Sequence, residues 1–89
     1  MSNAKRFTTI VPIERTLKDL RASMRKWRVE DWEVVPHDGA AGYTIRFFKR
    51  GKWLTVSSTR QFYKKDNLRL CAIVLDQIRL MEERGMLPE

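Results

Sequence analysis

Gly42-Tyr-Thr-Ile-Arg-Phe-Phe-Lys-Arg-Gly-Lys-Trp-Leu-Thr-Val-Ser-Ser58 is the stretch whose reading decides the fold. Two runs rich in β-branched and aromatic residues, Tyr43 to Phe48 and Trp53 to Ser57, flank Arg50-Gly51, the pattern of a tight hairpin. With Arg50 and Gly51 as the loop, Lys49 faces Lys52, Phe48 faces Trp53, Phe47 faces Leu54 and Ile45 faces Val56. Side chains alternate along a strand, so Ile45, Phe47, Leu54 and Val56 share one face. Thr44, Arg46, Phe48, Trp53 and Thr55 share the other. The first face is that of a core sheet, while the second is basic and aromatic.

Working outward, Ile13, Leu17, Leu20, Met24 and Trp27 recur at spacings of three and four, which predicts an amphipathic helix from Ile13 to Trp27. Pro12 precedes it, where a first turn tolerates proline. The opposite side carries Lys18, Arg21, Arg25 and Arg28, a ridge of one sign that is either a solvated helix face or a binding surface. Like charges three and four apart repel weakly. Val29 to Val35 reads as a short strand stopped by Pro36, and His37 to Gly42 as a loop. Asp66 is the expected N-cap of a second helix, Asn67 to Arg84, with Gly85 closing it. Its expected core face is Leu68, Leu70, Cys71, Val74, Leu75, Ile78 and Met81, with Phe62 and Tyr63 tucked beneath the helix. Phe7 to Val11 is either an additional edge strand or an extended arm.

The expected class is therefore α+β. Two helices pack on one face of a small antiparallel sheet, three-stranded, or four-stranded if residues 7–11 join it. One domain over residues 7–87 accounts for the chain. Residues 1–6 read as an arm or tag remnant, Ser2-Asn3-Ala4 having the form of the latter.

The chain has 89 residues, 43% of them hydrophobic, enough for one small core. Its 18 Lys and Arg against 11 Asp and Glu give a formal charge of +7. From Gly39 to Lys65 there is no acidic residue, yet seven basic ones fall there. A polyanionic partner fits this segregation, with nucleic acid foremost. No apolar run is long enough for a membrane span, and no apolar leader is seen, so a cytoplasmic location is expected.

Parts for an enzyme are missing. His37 is the single histidine and lies in a loop, and Cys71 is the single cysteine, placed mid-helix on the apolar stripe. No phosphate-binding glycine loop, nucleophile elbow or zinc spacing occurs. Glu30, Asp31 and Glu33 read as a polar turn rather than a metal site. We therefore expect neither catalysis nor a cofactor. The expected contacts for nucleic acid are Lys18, Arg21, Arg25, Arg28, Arg46, Phe48, Arg50, Lys52, Trp53, Lys64 and Lys65. Aromatic rings beside cations are the means by which single strands are stacked and neutralised. The alternative is a protein-interaction module or homodimer built on the open face of the sheet.

Two resemblances add to this. The order helix, three strands, helix resembles the double-stranded-RNA-binding domain. Lys64-Lys65 before the second helix is similar to the lysine pair with which that family holds phosphates. The family's glycine-rich lead-in is replaced here by Ser57-Ser58-Thr59-Arg60. Asp66-Asn67-Leu68-Arg69, with Ile78-Arg79, Glu82-Glu83 and Gly85, resembles the C-terminal helix of small prokaryotic and phage proteins of unknown function. Some of these are labelled DnaJ-like although they lack a J-domain. This second resemblance covers about the last quarter of the chain, implies a shared fold and brings no catalytic residues. It casts Asn67 and Arg79 as structural residues, partners of backbone groups at the hairpin edge.

Overall fold

A computed structural model of the chain describes residues 7–86. Helix α1 spans Ile13–Trp27, strands β1, β2 and β3 span Trp32–Pro36, Tyr43–Lys49 and Lys52–Ser58, and helix α2 spans Lys64–Glu83. The sheet is antiparallel in the order β1-β2-β3. This is the α+β arrangement that the alternation and periodicity predict. Residues 7–11 form no strand, so the sheet has three strands; they run instead as the extended arm.

The hairpin register is the expected one throughout, from Lys49 opposite Lys52 to Ile45 opposite Val56. Arg50 and Gly51 both take positive φ, 57° and 78°. That is the type I′ geometry whose twist matches the flanking strands. A left-handed conformation at Arg50 costs roughly 1 kcal/mol relative to glycine, and a contact described below offsets it.

Strand β1 begins later than predicted, because the C-terminus of α1 claims Val29. Arg28 adopts the left-handed conformation at φ 62° and ψ 36°. This lets the Val29 amide donate to the Met24 carbonyl at 2.9 Å. Val29 is thereby turned into the core, the hydrophobic contact that accompanies such a cap. At the other end Pro36 does not stop the strand; it pairs with Tyr43 on the sheet edge.

Both helices cover the same face of the sheet. Leu20, Met24 and Trp27 of α1 meet Leu68, Cys71, Ala72 and Leu75 of α2 over Tyr43, Ile45 and Phe47. The Trp27 and Phe47 rings lie 5.2 Å apart and tilted. Contacts ascend together along both helices: Arg69 donates to Asp19, Ser23 to Asp76, and the Trp27 indole to Glu82. The helices therefore run in the same direction, with their C-terminal ends at the hairpin turn. The Arg69 guanidinium beside Asp19 holds its carboxyl below the usual range, with Arg15 adding to the effect.

Helix α2 buries a narrower arc than its composition suggests. Leu68, Cys71 and Leu75 are buried, whereas Val74 and Met81 are exposed and Leu70 is half-buried. At about 100° per residue Leu70, Val74 and Met81 lie roughly 110–150° round the helix from the centre of the Leu68–Cys71–Ala72–Leu75 stripe, so they fall outside the arc that the sheet and α1 cover. Burial pushes the Cys71 thiol up to about 11. At neutral pH it should resist a thiol reagent such as 5,5′-dithiobis(2-nitrobenzoate), reacting at the rate of structural opening and then rapidly in denaturant. Stoichiometric labelling of the native protein within seconds would contradict this burial.

Candidate nucleic-acid interface

The ridge on α1 is as the helical spacing places it. Lys18, Arg21, Arg25 and Arg28 are all exposed, the first three on the helix and Arg28 at its cap. None has a carboxylate partner among the described residues. Lys26 extends the same surface. From Lys18 to Arg28 the helix rises roughly 15 Å.

The open face of the sheet is a separate surface, because α1 packs on the sheet's other side and its ridge points away. Trp53 is 48% and Phe48 39% exposed, and their rings meet edge to face at 5.5 Å. The guanidinium of Arg46 sits 4.7 Å above the Trp53 ring and donates to Glu33 on β1. Arg46 therefore reaches the open face already partnered. The arm does not cover this face. Its Phe7 and Thr9 amides donate to Gln61 Oε1 and Asp66 Oδ1, both at 2.9 Å, at the start of α2.

That docking corrects the reading of Asp66 and qualifies that of the lysine pair. Helix α2 starts at Lys64 with Tyr63 as its N-cap and no side-chain cap bond. Asp66 is fully buried in the first turn and anchors the arm instead of capping the helix. Lys65 donates to the Thr9 carbonyl at 2.5 Å and to Asp66 at 3.3 Å, so it closes the same anchor. Lys64 alone of the pair is exposed without a carboxylate partner among the described residues. Phe62 and Tyr63, expected beneath the helix, are 84% and 55% exposed and form an edge-to-face pair. The core is closed by Leu68 before either ring is needed. With Arg60 and Lys64, these rings form an aromatic and basic patch that the expected core role concealed.

At the hairpin turn the cations divide. Arg50 Nη2 lies 2.8 Å from Glu82 Oε2. Lys49 Nζ donates to the Trp27 carbonyl at 2.8 Å and lies 3.9 Å from Glu82. Both are tied to the helix C-termini, while Lys52 faces solvent without such a partner. Arg79, on α2, pairs with Asp76 and Glu83 rather than with backbone groups.

His37 is not an isolated loop residue. Its Nε2 shares a hydrogen bond of 2.8 Å with Thr44 Oγ1, which shares one of 2.7 Å with Ser57 Oγ. Gly42 permits this, since a Cβ there would stand 2.8 Å from His37 Nδ1. A histidine seven residues from its threonine across a turn has no spacing signature beyond the nearby glycine. Among the described residues no three His, Cys, Asp or Glu side chains gather as metal ligands, and no helix is long and apolar enough to cross a membrane. Comparison with protein-family models, curated proteins and solved structures finds no match.

Proposed function

We propose that the chain is a small, non-enzymatic nucleic-acid-binding domain whose principal phosphate contact is the outer face of α1. The observation that carries this is the division of the charges. Asp19, Asp76, Glu82 and Glu83 are matched to Arg15, Arg69, Arg79, Lys49 and Arg50. Lys18, Arg21, Arg25 and Arg28 are left unmatched among the described residues at three- and four-residue spacing. Like-charge neighbours on a helix each cost a few tenths of a kcal/mol. A polyanion removes that cost and releases counterions as it binds.

The test is a titration of labelled duplex and single-stranded DNA and RNA at several salt concentrations. If the ridge meets three or four phosphates, the slope of log K against log salt for duplex DNA is about −3. The double variant Arg21→Ala/Arg25→Ala should weaken binding to all sequences alike and flatten that slope by about 2. Absence of binding at low salt, or an unchanged slope in the variant, removes the reading. A second reading, single-strand stacking on the sheet, rests on the exposure of Trp53 and Phe48. Under it Trp53→Ala abolishes single-strand binding and leaves the duplex unaffected.

A further inference from the structure

The two edges of the sheet are unlike. Strand β1 has five residues, carries Glu33, follows Glu30 and Asp31, and ends in Pro36, which has no amide hydrogen to offer. Short length, charge and proline are the usual protections of an edge. Strand β3 has seven residues and, from Trp53 to Ser58, neither a charge nor a proline. Lys49 and Lys52 close the type I′ turn as a hydrogen-bonded pair, so Leu54, Val56 and Ser58 also bond to β2. The amides and carbonyls of Trp53, Thr55 and Ser57 point outward. They make no backbone hydrogen bond to a described residue beyond the sheet.

We propose that this edge of β3 receives an extended acidic peptide segment of a partner protein as a fourth, added strand. The backbone row supplies the affinity, and the charges at its ends choose the occupant. Lys52 begins the strand and Arg60 follows it, both exposed and without a carboxylate partner among the described residues. The same charges disfavour a second copy. Antiparallel pairing of β3 with itself about Thr55 brings Lys52 of one copy toward Arg60 of the other, between chains of formal charge +7. The acidic β1 edge of a second copy offers the right sign but loses a donor at Pro36. Trp53, projecting from the open face beside the row, supplies an aromatic wall for an alternate side chain of the bound strand.

The experiment uses the whole chain and the fluorescein-labelled peptide Glu-Glu-Thr-Val-Thr-Val-Thr-Glu-Glu, with its lysine-flanked counterpart as control, followed by anisotropy at low salt. Binding of the acidic peptide, at least about tenfold tighter than the lysine peptide, is expected. The key variant is Thr55→Pro, which removes an outward N–H and leaves the bonds to β2 in place. It should cost about tenfold or more in peptide affinity while the circular dichroism spectrum is retained. Arg21→Ala/Arg25→Ala should leave peptide affinity unchanged, which separates this edge from the α1 ridge. Should Thr55→Pro fail to fold, amide exchange decides: new protection at Trp53, Thr55 and Ser57 in the wild-type complex supports the proposal. No binding up to about 1 mM protein, affinity equal in Thr55→Pro, or protection confined to α1 would each overturn it. Concentration-dependent oligomers of the wild type that vanish in Thr55→Pro would give the edge to a second copy and overturn it also.

Discussion

Asn67→Ala should lower the free energy of unfolding by about 3 kcal/mol, a large part of what a domain of this size possesses. Asn67 is fully buried. Its Oδ1 accepts from Ser58 Oγ at 2.8 Å and from the Gln61 amide at 3.1 Å. Its Nδ2 donates to the Ala41 carbonyl at 2.9 Å and the Gln61 carbonyl at 3.0 Å. One side chain thus joins the β1–β2 loop, the end of β3 and the entry to α2. Alanine removes all four bonds, and its cost stays near 3 kcal/mol because Ser58, Ala41 and Gln61 are half-exposed and water takes part of the loss. Asn67→Asp keeps both acceptor contacts but turns a carboxylate oxygen toward two carbonyls, so it should be no milder than alanine. Urea unfolding followed by tryptophan fluorescence measures both variants. Amide exchange in residues 37–42 should quicken first, since Ala41 loses its tether. A cost below about 1 kcal/mol for Asn67→Ala would mean that these bonds are not cooperative with the core.

The resemblance of the C-terminal helix casts Asn67 as a structural partner of backbone groups, and it does bond those of Ala41 and Gln61. No spacing or periodicity announces the role, and the reason is general to this chain. The hairpin and α1 are legible because each is specified by neighbours: Arg50-Gly51 sets the register, and five apolar residues at helical spacing set the buried stripe. Asn67 and Asp66 look alike locally, two polar residues opening a helix. What separates them is contact with Ala41, 26 positions away, and with Thr9, 57 positions away. Bonds of that range leave no periodic trace. The same holds at Arg28, where the left-handed cap moves the start of β1 although no glycine marks the place.

The candidate interface divides for a related reason. Sequence identifies which residues are cationic, whereas binding capacity depends on which cations the fold leaves unmatched. Lys18, Arg21 and Arg25 stay free because they lie opposite the apolar stripe, a relation the helical period fixes. Arg46 and Arg50 acquire carboxylate partners from other elements, Glu33 and Glu82, while Lys65 is held by its neighbour Asp66 and by the Thr9 carbonyl of the arm. An acid-free interval from Gly39 to Lys65 therefore overstates the local field. Acids distant in the chain are folded back onto it, Glu33 onto Arg46 and Glu82 onto Lys49 and Arg50.

Glu82→Ala should cost about 2–3 kcal/mol, since the partners it leaves behind come from α1, from β2 and from the hairpin turn. Glu82 receives the Trp27 indole N–H and the Arg50 guanidinium, with Lys49 close by. Its side chain is 16% exposed and that of Lys49 22%, whereas Arg50 is 51% exposed, so solvent screens the Arg50 pair more than the contacts with Trp27 and Lys49. Trp27 is buried, and among the described residues Glu82 is the one acceptor its N–H reaches. The Arg50 contact also offsets the strain of a left-handed arginine, which links turn geometry to the end of α2. Glu82→Gln should recover roughly half the loss: it retains an oxygen for the indole but presents an amide to Arg50. A double-mutant cycle between Arg50→Ala and Glu82→Ala should give a coupling of about 1 kcal/mol. Strict additivity would show that Arg50 is held only in passing. It would then rejoin Lys52 among the cations free to meet a phosphate, and Arg50→Ala would weaken nucleic-acid binding as Arg21→Ala is expected to.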